Sequence, residues 1–262
     1  MAISLPMKNK VVFVTGSSSG IGLGIARAYA QAGASVILHG IEADFGLALE
    51  IEKEFGNKAM YIQSDLSRRD DSINTLRKAT QFMGDVDILV NNAGIQFVSP
   101  IEDFPYEKWQ SIIDINLSSV FYLSQFVWTP MKKKGFGRII NISSVHGLRA
   151  SEFKSAYVAA KHAVVGLTKV LALEAANTGV TANAICPGYV HTPLVDKQIQ
   201  NQAKAHNLSE SEVIEKVLLK KQPIKKFVSL EAISQLSLYL SQPYSETITG
   251  ASFVLDGGWT SQ

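Results

Sequence analysis

Tyr157 and Lys161 stand four residues apart in KSAYVAAKHA (154–163). On a helix that spacing puts both side chains on one face. A free phenol titrates near ~10, too high for an efficient base at neutral pH. A neighbouring ammonium stabilises the phenolate, and lowering the pKa by ~3 units takes about 4 kcal/mol of differential stabilisation. Such a pair can take the proton of an alcohol, which hydride removal from the adjoining carbon requires. His146 and Lys154 lie just upstream. Two potential cationic donors beside a reacting centre suit an anionic substrate. Gln96, after NNAG (91–94), and Gln198, in TPLVDKQIQ (192–200), add two amides. A carboxylate accepts about four hydrogen bonds, and Gln96, His146, Lys154 and Gln198 could supply them. Taken singly, each of these four is an ordinary polar residue.

These groups need a frame. KVVFVT (10–15), SVILH (35–39), AMYI (59–62), DILVN (87–91), RIINIS (138–143), VTANAI (180–185) and SFVLD (252–256) read as strands. Several are nearly continuous in Val, Ile and Leu, as in a parallel sheet covered on both faces. Helical patterns at 20–32, 70–82, 107–133 and 155–177 alternate with them. The order is that of an α/β protein with a doubly wound parallel sheet of about seven strands. No linker divides residues 1–262, so one domain is expected. Residues 188–228 hold no strand candidate, and Ser209 with Glu212 forms a capping box ahead of an apolar stripe. We expect a helical substrate lid at 189–220 within the domain.

VVFVTGSSSGIGLGIA (11–26) follows the first strand and opens a helix. Its glycines, Gly16, Gly20 and Gly22, allow a tight turn and close backbone approach to a pyrophosphate. The helix N-terminus then offers unpaired N–H groups to phosphate. The bulk properties are unremarkable beside this. A net charge of +2 gives no field that points to nucleic acid or a membrane surface. The basic run MKKKGFGR (131–138) reads as a solvated helix end. No apolar run reaches the ~18 residues of a membrane span. The single cysteine, Cys186, excludes an intramolecular disulfide and a cysteine-built zinc site. No metal is expected, and a cytoplasmic location is. Trp109 and Trp128 read as packing residues of the 107–133 helix.

Taken together, the G-x-x-x-G-x-G loop, NNAG (91–94), Ser144, Tyr157-x-x-x-Lys161, DL (65–66), Asn116 and PGYVHT (187–192) resemble the short-chain dehydrogenase/reductase family. The resemblance runs along nearly the whole chain. It implies a Rossmann-type domain, a homotetramer and hydride transfer to a nicotinamide cofactor. It assigns Tyr157 as acid/base, Ser144 as partner of the reacting oxygen, and Asn116 to a water-linked proton relay. Lys161 would also hold the nicotinamide ribose. Cofactor contacts would fall on Gly16, Ser18, Gly20, Ile21, Gly22 and Ile41, then Asp65, Leu66, Asn92, Ala93 and Gly94, and finally Pro187, Gly188, Val190 and Thr192. Family members that use NAD commonly end the second strand on an acidic residue; here Gly40 stands there. NADP needs cations, and none follows His39 through Gly46. Glu42 and Asp44 would repel its extra phosphate, so NAD is expected. GIQFVSPIEDFP (94–105), HGL (146–148) and DGGWTSQ (256–262) narrow the resemblance to members acting on short hydroxy acids. There Gln96, His146, Lys154 and Gln198 bind the carboxylate, beside Trp259 and Tyr189, where tryptophan is usual. The implied reaction is reversible oxidation of (R)-3-hydroxybutyrate. The rival expectations are a reductase of uncharged or carrier-bound ketones and a non-catalytic dinucleotide-binding regulator.

Overall fold

The computed structural model describes residues 6–44, 46–192, 195–196, 199, 203 and 208–261. Among them, seven strands form one parallel sheet in the order β3-β2-β1-β4-β5-β6-β7. They are β1 (Val11–Val14), β2 (Ser35–Gly40), β3 (Ala59–Gln63), β4 (Ile88–Asn91), β5 (Gly137–Ile142), β6 (Val180–Pro187) and β7 (Ser252–Leu255). Each lies within two residues of its apolar run in the sequence. The helices α1 (Gly20–Gln31), α2 (Leu47–Phe55), α3 (Arg69–Met83), α4 (Tyr106–Ile113), α5 (Ser119–Lys134) and α6 (Ser155–Glu174) alternate with the strands. A helix Leu230–Leu240 precedes β7.

Side chains alternate along β1 and so feed two cores. Val12 and Val14 pack with Ile25 of α1 and Ile233 of the 230–240 helix. Phe13 joins Leu76 of α3 and Leu123 of α5 on the other face. Burial on both faces explains why the strands are unbroken apolar runs. After β3 the chain crosses back to the far side of β1 and forms β4. Strand order reverses there, and the loops leaving β1 and β4 splay apart to open a crevice at the carboxyl ends.

The long 107–133 helix is not uniform. A π turn, Asp114–Ser118, separates α4 from α5. Trp128 packs on the second core, but Trp109 is 37% exposed and does not pack as expected. The basic run is also only partly a solvated end. Lys132, Lys133 and Lys134 close α5, with Lys134 Nζ 2.5 Å from the buried Asp87 carboxylate. Arg138, by contrast, is 2% exposed inside β5 and donates to the Gly137, Gly179 and Gln242 carbonyls. Helix α6 is long and apolar enough by composition to cross a membrane. It packs inside the protein instead: Leu171 joins the second core, and Ala156 and Ala160 pack with Ile112 of α4. In the segment after β6, Val190 bridges Val228, and the Val228 N–H donates 2.8 Å to the Tyr189 carbonyl. The Ser209–Glu212 capping box forms and starts a short helix, Glu210–Val213.

Candidate active site

The β1–α1 turn is built by close approach. Gly16 and Gly20 have φ of +59° and +57°, a region costly for residues with a Cβ. A Cβ on Gly22 would lie 2.2 Å from the Gly16 carbonyl oxygen and 2.5 Å from Asn92 Nδ2. Asn92 Nδ2 donates to the Thr15 and Gly16 carbonyls at 3.0 and 2.9 Å. The Thr15 hydroxyl receives the Asn92 and Ala93 N–H groups. NNAG therefore clamps the glycine turn from β4. Ser19, at the α1 N-cap, makes no side-chain capping bond. The first-turn amides are left for an anion, as at other phosphate-binding helix ends. A dinucleotide fits this cradle: the glycines keep it open and the amides supply donors.

His39, for which the sequence suggested no role, fixes the turn from β2. Its Nδ1 accepts the Gly16 N–H at 3.1 Å, which leaves the proton on Nε2, 3.0 Å from Ser64 Oγ. Burial pushes its pKa down to about 4, so the ring is neutral. Beside it, a Cβ on Gly40 would meet the Tyr61 hydroxyl at 2.1 Å. Tyr61 donates to the Glu42 carbonyl, and the Glu42 carboxylate accepts from Ser18 at 3.4 Å. Glu42 lines the cleft along with Ile41, Asp65 and Leu66.

The cleft, of about 460 Å³, runs on from there to Tyr157, Ser144 and Lys161. Lys161 is buried and donates 2.8 Å to the Ile142 carbonyl. Its Nζ lies 5.7 Å from the Tyr157 ring centroid. Burial brings the ammonium down to about 8. Burial raises the phenol, and a hydrogen bond with Ser144 opposes that only in part. The protein groups on their own thus keep Tyr157 protonated. Asn116, in the π turn, is held by the Ile95 backbone through both ends of its side-chain amide. Oδ1 accepts the Ile95 N–H at 2.8 Å and Nδ2 donates to its carbonyl at 2.9 Å.

Gln96, His146, Lys154, Tyr189 and Trp259 line the same cleft; Gln198 lies outside the described residues. His146 is buried, with Nδ1 3.4 Å from Ser144 Oγ and Nε2 3.1 Å from Ser151 Oγ. Burial, with the Lys154 and Lys221 charges, pushes it down to about 3. His146 is therefore a neutral donor, not the cation its type suggested. Lys154 is lowered by burial and then by Lys221, and its Nζ sits 5.9 Å from the Tyr189 ring centroid. Tyr189 stacks on Trp259 with centroids 6.1 Å apart and planes 9° apart. Trp259 in turn meets His146 edge-on. Lys221, 5.9 Å from the Trp259 ring, adds positive charge that no local pattern announced. Of the expected cofactor residues, Pro187, Gly188, Val190 and Thr192 also reach the cleft, whereas Gly22 supports it from behind, as does the expected relay residue Asn116. Among the described residues no group of His, Cys, Asp and Glu could hold a metal ion.

The crevice and its tyrosine–lysine end together define a dinucleotide-linked oxidoreductase. Residues 10–203 match the model of the short chain dehydrogenases, and the chain belongs to that family. It is 50% identical over 256 residues to a D-beta-hydroxybutyrate dehydrogenase of Rhizobium meliloti (strain 1021), covering 97% of this chain and 99% of the relative. It is 47% identical over 257 residues to the enzyme of that name from Cupriavidus necator, covering 98% and 100%. Among solved structures, L-sorbose reductase from Gluconobacter frateurii, complexed with NADPH and L-sorbose, superposes with a TM-score of 0.93. That match has 27% identity and covers 99% of this chain and 100% of that one.

Proposed function

We propose that the protein interconverts (R)-3-hydroxybutyrate and acetoacetate with NAD. One observation carries this reading: Lys154, His146 and Gln96 line the same cleft as the Tyr157–Ser144 pair. A small acid held by its carboxylate at the lysine end would present its C3 oxygen to the phenol. The two relatives named for this substrate, at 50% and 47% identity, support it.

Bound NAD supplies the hydride acceptor and a positive ring. Tyr157 carries the C3 hydroxyl proton, and Ser144 holds the same oxygen. Protonated Tyr157 is poised to donate when the ketone is reduced. In oxidation the phenol must lose its proton, and Lys161 is the nearby protein cation that favours this. The Asn116 side chain is fixed by its two bonds to the Ile95 backbone, which sets its place for the expected water-linked relay. Preference for NAD follows from charge. Glu42 faces the cleft, and His39, held neutral, offers no cation to an extra phosphate. Glycines 16, 20 and 22, NNAG, and Pro187 to Thr192 serve the cofactor; Trp259 and Tyr189 wall the substrate.

Residues 189–220 act as a lid, anchored near its start by the Val190–Val228 bridge, and Gln198 is the carboxylate partner expected from it. The chain works as a homotetramer. Exposed apolar side chains on α5 and α6, Phe121, Val170 and Leu173, support burial against other copies. The free, buried Cys186 suits the cytoplasm. Steady-state rates with both enantiomers of short 2- and 3-hydroxy acids, using NAD and NADP, test the reading. A clear preference for (R)-3-hydroxybutyrate with NAD is expected. Faster turnover of uncharged ketones or acyl thioesters with NADPH would overturn it.

A further inference from the structure

Three described residues other than glycine have positive φ: Asn9, Phe153 and Asn177. Asparagine tolerates the left-handed region, while a bulky ring there is an outlier. Phe153, at φ +64°, is 52% exposed, so core packing does not force it. Such strain persists only where the surroundings over-determine it, and it gathers at functional sites.

We propose that Phe153 is a positioning residue whose left-handed backbone aims Lys154 into the cleft and ties it to the loop carrying Gln96. The inference rests on the substrate reading above. The Phe153 carbonyl accepts the Ser99 N–H at 2.9 Å, three residues beyond Gln96. Two residues before Phe153, Ser151 Oγ meets His146 Nε2 at 3.1 Å. One residue after it, the Lys154 carbonyl accepts the Val158 N–H at 2.9 Å, the first bond of the helix that carries Tyr157. Phe153 is thus the turn between a loop pinned to His146 and a helix pinned to the phenol. Rotating it into the extended region swings its carbonyl off Ser99 and redirects Lys154. One strained dihedral therefore couples Gln96, His146 and Lys154.

The test compares Phe153→Gly, Phe153→Asn and Phe153→Val, with Phe153→Ala in place of valine if that variant does not fold. Glycine and asparagine accept φ > 0, and a β-branched residue accepts it worst. Valine is expected to raise KM for 3-hydroxybutyrate about tenfold or more, with the NADH dissociation constant changed less than about twofold. Glycine and asparagine should keep KM within about threefold of the parent. Hydrogen exchange at the Ser99 amide should be slow in the parent, glycine and asparagine proteins and fast in the valine protein. Equal KM increases in all three would assign the effect to the ring and overturn the proposal. So would slow Ser99 exchange in the valine protein. Exchange needs no substrate. If the parent fails to oxidise 3-hydroxybutyrate, the substrate reading falls while the exchange series still decides the role of Phe153.

Discussion

Lys154 is half-buried next to another cation, and both desolvation and Lys221 act against its charge. A substrate carboxylate relieves both penalties, so the lysine's discomfort is itself a reason to bind an anion. A hydrogen bond to a charged group contributes about 1.5–3 kcal/mol. Lys154→Ala is therefore expected to lower kcat/KM by about 10- to 100-fold, chiefly through KM, with NADH binding unchanged. The pH dependence has a definite sign. A lysine is charged below its pKa, and this one lies below the ordinary 10.5. KM for the hydroxy acid should rise with pH before 10.5 is reached, and that rise should vanish in Lys154→Ala. Titrating KM from neutral pH upward checks both. At the phenol the expectation differs in kind. Tyr157→Phe should cut turnover by about 10²–10⁴ while NADH binding and far-UV circular dichroism stay as they were. Substantial residual turnover would mean another proton carrier.

The glycine turn is decided where β1, α1 and β4 meet. An alanine at position 22 would put its methyl 2.2 Å from a backbone carbonyl and 2.5 Å from the Asn92 amide that clamps the loop. The carbonyl is backbone, and the Asn92 amide is held by its bonds to the Thr15 and Gly16 carbonyls, so the turn must shift. Gly22→Ala is expected to weaken NADH binding by at least about tenfold, read by fluorescence titration. An unchanged affinity would show that the clamp can yield. This junction also shows what the sequence could disclose. Gly16, Gly20 and Gly22 were legible because a nucleotide turn needs them at fixed local spacing. Tyr157 and Lys161 were legible because one helical turn joins them, and the strands because two-sided burial makes apolar runs. His39 was not legible, because its partner Gly16 lies 23 positions away and no local pattern marks it. The π turn at Asn116 escaped notice because the apolar period continues across it. The neutral state of His146 was not legible for a related reason: residue type gives the ordinary pKa, and burial by distant segments resets it.

Two neutral histidines occupy opposite ends of one cleft, and this links the stability of the whole molecule to acid. His39 holds the nucleotide turn with a pKa of about 4. His146 backs the substrate end with a pKa of about 3. Both lie below the ordinary 6.5, so an unfolded chain takes up these protons first as pH falls. Their contribution is whole above pH 6.5 and is lost as pH descends toward 4 and 3. Each histidine can steepen the acid limb by up to about 1.4 kcal/mol per pH unit in that window. Thermal melts should therefore give a level Tm near pH 7–8 and a falling Tm below about pH 6. In His39→Asn, an amide oxygen can take over the Gly16 N–H without titrating. That variant should lose part of the acid sensitivity, with the remainder due to His146 and the carboxylates. A parent and variant whose Tm falls in parallel would place the acid limb elsewhere in the fold and leave His39 a hydrogen-bond acceptor only.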